Sequence, residues 1–272
     1  MRKLLPAALM LVVSACHHKP PQPITFDGAL TDDKAALVRH GERLTHVLGC
    51  TGCHGAQLEG TFLTKDEPQY GPLYGSNLTV EVREYTASQL DGIIRHGTHP
   101  ERKTVWAMPS QIFQHLSDPD FRALLAYLRT LKPQGTKLPA PKFSTQDRKD
   151  IAAGMYKPAA QMVRESSQLL PVDLGASRAL GRYISEVTCA ECHGPKLEGD
   201  PQAPMGRIPN LIVAGGYSRG EFERLMTQGI ASGNRKINPV MAGVARTRFF
   251  HFTPHERDAL FVYLKARAQK PD

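Results

Sequence analysis

The pattern of apolar and polar positions is written twice along this chain. Ser117 and Asp120 stand as N-cap and N3 residues ahead of Phe121, Leu124, Leu125 and Leu128, which recur at helical spacing. Thr253 and Glu256, followed by Leu260, Phe261 and Leu264, repeat the device near the C-terminus. Further upstream, Tyr85-Thr86-Ala87-Ser88-Gln89-Leu90 opens a helical pattern that ends at Gly97, and Tyr217-Ser218-Arg219-Gly220-Glu221-Phe222 opens one that ends at Gly229. Another helix is predicted over residues 33–49, and its counterpart over 177–188. The reading is an all-α chain of two tandem domains, residues 34–132 and 175–272.

Residues 133–174 join the halves and carry Pro133, Pro139, Pro141, Pro158 and Pro171. Extended chain is predicted over 138–143 and short helices over 145–154 and 159–169. Long structureless loops are rare in compact proteins, so the segment is expected to wrap across one domain. At the N-terminus, Arg2 and Lys3 precede an apolar run from Leu4 to Val13. That run is shorter than the roughly 18 residues needed to span a bilayer, and reads as a cleaved signal. With Val13-Ser14-Ala15-Cys16 behind it, the segment resembles a bacterial lipoprotein signal. The resemblance implies removal of residues 1–15, lipidation of Cys16, and an exported protein on the periplasmic side of the inner or outer membrane. Residues 16–33, opening on His17-His18-Lys19-Pro20-Pro21, are expected to be a semi-rigid tether.

The 272 residues are a prior for one or two domains. Hydrophobic residues make up 41% and aromatics only 7%, which a chain packing around a prosthetic group can tolerate because the cofactor supplies part of the core. The formal charge of +8 falls when Arg2 and Lys3 leave with the signal. No basic stripe with interleaved aromatics accompanies it, so nucleic acid is not an expected partner.

Chemistry enters with the cysteines. Cys16 aside, four remain in two identical frames: Cys50-Thr51-Gly52-Cys53-His54 and Cys189-Ala190-Glu191-Cys192-His193. Cys-x-x-Cys-His is the attachment signature of c-type haem. Two thiols a helical turn apart add to the vinyl groups on one porphyrin edge, and the next histidine becomes the proximal iron ligand. A redox disulfide would need a βαβ setting, and a zinc site would leave both histidines unexplained. The likeness continues beyond the motifs. Gly55-Ala56-Gln57-Leu58-Glu59-Gly60 is answered by Gly194-Pro195-Lys196-Leu197-Glu198-Gly199, and Asn77-Leu78 by Asn210-Leu211.

This order, with the motif early and a methionine late, resembles a class I cytochrome c domain, duplicated. The resemblance implies two haem c groups, with the iron held by His54 and His193 and by a second axial ligand on the loop before each terminal helix. In the first half Met108, followed by Pro109, matches the family pattern; His96, His99 and His115 are the rivals. In the second half Met241 stands in the corresponding place without the following proline. Met205, Met226 and His251 compete with it. The resemblance further implies that the carbonyls of Ser76 and Pro209 accept a hydrogen bond from the proximal rings. It also implies that Leu78 and Leu211 pack on the porphyrin, as do Tyr127 and Tyr263 near the helix crossing.

With both axial positions filled, such centres carry electrons and leave no place for substrate. The expectation is a non-enzymatic relay, membrane-held through its lipid, between a redox protein donor such as a dehydrogenase and an acceptor. The alternatives are a dihaem peroxidase with an open site at the second haem, and the cytochrome subunit of a dehydrogenase complex. Residues 34–132 hold 11 Lys+Arg against 10 Asp+Glu, and residues 173–272 hold 14 against 10. The second half is therefore expected to dock the more acidic partner.

Overall fold

The computed structural model describes residues 22–102, 104–203 and 206–270; the signal, Cys16 and Met205 lie outside them. The first half opens with α1, Lys34–Val47, capped by Asp33, whose side chain accepts from the Ala35 N–H. A cap of this kind is worth about 1 kcal/mol. The short helix α2, Cys50–His54, carries the first motif. Strands β1, Thr61–Phe62, and β2, Tyr74–Gly75, pair antiparallel with Thr61 opposite Gly75. Then follow α3, Leu78–Glu81, α4, Ala87–His96, α5, Ser110–Phe113, and the terminal helix α6, Asp118–Leu128.

The joining segment contributes α7, Thr145–Ala152, and α8, Ala159–Ser166. The second half holds α9, Ala179–Ile184, α10, Ala190–His193, α11, Arg219–Gln228, α12, Pro239–Thr247, and α13, Pro254–Gln269. Between α9 and α10, residues Ser185–Cys189 form a π turn. None of the described helices is long and apolar enough to cross a membrane.

Each half is built on a crossing of its first and last helices, and both crossings need a glycine. A Cβ on Gly41 would lie 2.0 Å from the Ala123 carbonyl oxygen of α6, and one on Gly181 would lie 2.1 Å from the Ala259 carbonyl oxygen of α13. Tyr127 and Tyr263 pack their Cβ atoms at these crossings. Tyr263 is fully buried and its hydroxyl donates to the Val172 carbonyl at 2.9 Å. These tyrosines therefore brace the helix pairs. After each motif a buried leucine, Leu58 or Leu197, takes a left-handed backbone with φ of 64° and 63°. That conformation costs an L-residue about 1–2 kcal/mol, and the duplication carries it in both copies. The leucine carbonyls are put to the same use, accepting from the N–H groups of Leu78 and Leu211 at 2.9 Å.

The joining segment wraps the first half. Asn77 donates its side-chain amide to the Gln134 and Thr136 carbonyls, Lys142 N–H donates to Pro72, and Asp147 accepts from Gly71 N–H at 2.8 Å. Ala159 N–H donates to the Val105 carbonyl, which seats α8 beside α5.

The expectation of a free tether over residues 16–33 is corrected for its last part. Phe26 is buried between Tyr183 and Phe252, its ring centroid 5.4 and 6.3 Å from theirs. Its N–H donates to Asp120, and the next N–H, of Asp27, donates to Glu256. Asp120 and Glu256 are the equivalent third residues of α6 and α13, and neither has solvent exposure. Each also reaches across the join. Asp120 accepts from the Tyr183 hydroxyl at 2.7 Å and pairs with His40, while Glu256 holds the Arg43 guanidinium through two contacts of 2.7 and 2.8 Å. An apolar ring and two consecutive amides thus wedge the N-terminal segment between the halves.

Candidate functional site

The first motif sits on one turn of helix, so Cys50, Cys53 and His54 converge for a local reason. His54 Nδ1 lies 2.8 Å from the Ser76 carbonyl oxygen. Donation from Nδ1–H leaves the Nε2 lone pair free to bind a metal. Burial pulls the His54 pKa below its ordinary value, opposed by the bond to Ser76, so the ring stays neutral as a ligand must. The second motif repeats this. His193 Nδ1 lies 2.8 Å from the Pro209 carbonyl, and burial again lowers the pKa.

The four motif cysteines carry free thiols. Burial pushes Cys50 up to about 12 and Cys189 up to about 11, with Cys53 and Cys192 also raised. A dithiol redox centre needs the opposite, a thiol of lowered pKa. Among the described residues no group of three or more His, Cys, Asp or Glu side chains is arranged to hold a metal ion by itself. The donor set thus suits an iron brought in by a porphyrin.

A cavity of about 400 Å³ in the first half tests that fit. Cys50, Cys53 and His54 line it together with Met108, and Leu78, Val82, Leu90, Ile94, Phe113, Leu124 and Leu128 make it apolar. Imidazole and thioether on one apolar chamber, beside two thiols, match the needs of a haem c. Met108 follows Ala107, whose φ of 59° turns the strap before α5. The cavity is closed by residues that sequence reasoning missed. Trp106, the chain's only tryptophan, packs on Phe143 at 4.8 Å and on Tyr156 at 5.0 Å. Ala140, Pro141 and Phe143 of the joining segment line the chamber. In a chain so poor in aromatics, Phe143 and Tyr156 inside the joining segment were the available signal.

The rival ligands are engaged elsewhere. His96 is exposed, 3.4 Å from Asp91. His99 lines the cavity, but its Nδ1 accepts from the Glu101 and Arg102 N–H groups and its Nε2 faces the Tyr85 hydroxyl at 3.5 Å. His115 meets Glu186 of the other half at 3.2 Å. His251 stacks on His46 with centroids 4.4 Å apart. Met226 is core, buried on α11 as Ile94 is on α4.

Met241 is half-buried against the hydrophobic core, on a helix and not on the expected loop. Asn238 accepts from the Val240 N–H and Pro239 occupies the first helical position, so the chain begins α12 there. Leu78 and Leu211 both pack against the core, and Leu78 lines the cavity.

Residues 38–132 match the family model described as Cytochrome c. The chain is 28% identical to a protein named "Diheme cytochrome c-type" from Cereibacter sphaeroides, over 97% of this chain and 98% of that one. It is 30% identical to the gluconate 2-dehydrogenase cytochrome c subunit of Pantoea cypripedii, over 62% of this chain and 41% of that subunit. It is 27% identical to the fructose dehydrogenase cytochrome subunit of Gluconobacter japonicus, over 86% and 53%. The chain thus spans nearly the whole of the first relative and about half of each dehydrogenase subunit.

Proposed function

From the premise that this chain is a c-type cytochrome working in electron transfer, we propose that it carries two haems. One is joined to Cys50 and Cys53 with His54 on its iron, the other to Cys189 and Cys192 with His193. Met108 and Met241 would supply the other protein ligand to each iron. The observation that carries this reading is the duplicated motif with its histidine Nδ1 tied to a main-chain carbonyl at 2.8 Å in both halves. Bound haem supplies a one-electron iron couple; everything else is the work of the chain. The two histidine–carbonyl bonds fix tautomer and ring orientation, the apolar lining keeps water away, and thioether ligation favours the reduced form.

The relay stands at the periplasmic face of a membrane, held by lipid on Cys16 after removal of residues 1–15. Its donor is a dehydrogenase and its acceptor a second redox protein. Relatives that serve as dehydrogenase cytochrome subunits support this choice of donor.

Spectroscopy of the purified holoprotein tests the reading. Two haems per chain and a methionine–iron charge-transfer band are expected, with half of that band lost in Met108→Ala and half in Met241→Ala. A single haem per chain would overturn it, and a high-spin second haem that turns over peroxide would make the protein a peroxidase instead. Mass measurement of the mature N-terminus tests the anchor: acyl chains on Cys16 are expected, and an unmodified cysteine there would remove it.

A further inference from the structure

One residue more separates Gly41 from Cys50 than separates Gly181 from Cys189. In the second half the chain passes from α9 into the motif through a π turn. In the first half it breaks at Gly49, whose φ of 79° favours glycine. The break has an occupant from the other half. A Cβ on Gly49 would lie 2.7 Å from Cζ of Arg248, the residue that ends α12. Arg248 Nε points to the Val47 carbonyl at 3.3 Å, and Nη1 donates to Glu191 at 2.7 Å.

Glu191 lies between Cys189 and Cys192, yet it also lines the cavity of the first half. The two attachment motifs therefore abut, with one guanidinium in the seam. That group is mostly buried, its side chain 13% exposed, and Nη2 has no hydrogen-bond partner among the described residues. Its charge is felt at all four motif sulfurs.

We propose that Arg248 couples the two cofactor sites: it clamps the second attachment motif against the first and stands as a fixed cation shared by both. Reduction at either site adds an electron beside this cation and is favoured by it, and exchange between the sites runs across the Gly49–Arg248–Glu191 seam. The exchange moves one electron and makes or breaks no bond. The inference rests on the two-haem reading above. Arg248 is a positioning residue in it, acting through the motifs.

Spectroelectrochemical titration of the holoprotein tests this, with haem content measured first. In Arg248→Gln both haems are expected to become harder to reduce, each equilibrium constant falling roughly three- to tenfold for the loss of one partly buried charge. Arg248→Lys keeps the charge and is expected to restore most of the loss. Glu191→Gln is expected to shift both sites the opposite way. Arg246→Gln, two residues earlier in the chain, is expected to shift neither. The proposal is overturned if Arg248→Gln moves neither potential, or only one, or if the lysine variant fails as the glutamine variant does. It is equally overturned if Glu191→Gln leaves both sites in place. A wild-type protein with fewer than two haems would instead sink the reading beneath it.

Discussion

The two halves grip their motifs with the same devices and cover them with different ones. In both, a glycine admits the crossing of the first and last helices, a left-handed leucine follows the motif, and a carbonyl orients the histidine. Over the first chamber lie Trp106, Phe143 and Tyr156, two of them lent by the joining segment. The second half keeps its methionine on α12, a nine-residue helix, where the first has the four-residue α5. The second half also carries the larger excess of basic residues. Duplication preserved what binds a cofactor and freed what surrounds it, which is the means of giving two similar centres different potentials and partners.

The largest test of that symmetry removes one motif at a time. Cys50→Ala with Cys53→Ala is expected to leave one haem per chain, read by haem content, and Cys189→Ala with Cys192→Ala to leave the other. Loss of both haems from either variant would show that the halves do not mature independently.

Next in size are the matched acids at the join. Asp120→Ala strands the buried His40, and Glu256→Ala strands the half-buried Arg43 guanidinium. Breaking a buried pair in this way costs about 3–5 kcal/mol, to be read by urea denaturation. Glu256→Ala is expected to cost more, because its carboxylate holds the guanidinium through two contacts and the Asp27 N–H besides. Equal losses would mean that the N-terminal wedge and not the ion pair sets the cost.

A smaller effect separates the two sites. Trp106→Ala opens the first chamber to water and is expected to lower the potential of the first haem alone, seen as one shifted wave in a redox titration. Movement of both waves would show that the cover serves the molecule as a whole.

The smallest effect is a dependence on pH. Burial pushes Glu186 up to about 7, although the nearby Arg182 charge acts the other way. Its folded form thus holds a proton that the unfolded chain releases near its ordinary 4.5. Its contribution to stability is full below about 4.5, declines as pH rises to about 7, and is constant above. His115, 3.2 Å away, is shifted downward by burial and so adds stability as pH rises toward 6.5, opposing the decline. Glu186→Gln leaves only the histidine, so its stability is expected to rise with pH across that window where the wild type stays flatter, as thermal melts at pH 4.5–7 will read.

The motif residues and the caps were legible in the sequence because their chemistry is local. Cys50 to His54 fit on one helical turn, and Ser117 and Thr253 accept from the backbone three residues on, at Asp120 and Glu256. Met108 was legible because Pro109 follows it. Met241 could be singled out by its position in the repeat, but its setting could not, since Asn238 and Pro239 start a helix where a loop was expected. Asp120 and Glu256 were read as capping residues, and that is half of what they do. Nothing near them in sequence announces Phe26 or Asp27, which come from more than 90 positions away in one case and more than 220 in the other.

By itself the sequence determined the fold class, the duplicated motif and the identity of the cofactor, because covalent attachment and a proximal ligand need only neighbours along the chain. Tertiary structure alone decided how the halves meet: Phe26 wedged between them, Glu256 on Arg43, Arg248 in the break at Gly49, and the joining segment over the first chamber. Each of these joins residues remote in sequence, and the reason is physical. Burying a charge or an unpaired amide is tolerable only where a partner is already waiting, and which partner waits is a property of the folded surfaces and not of the order of residues.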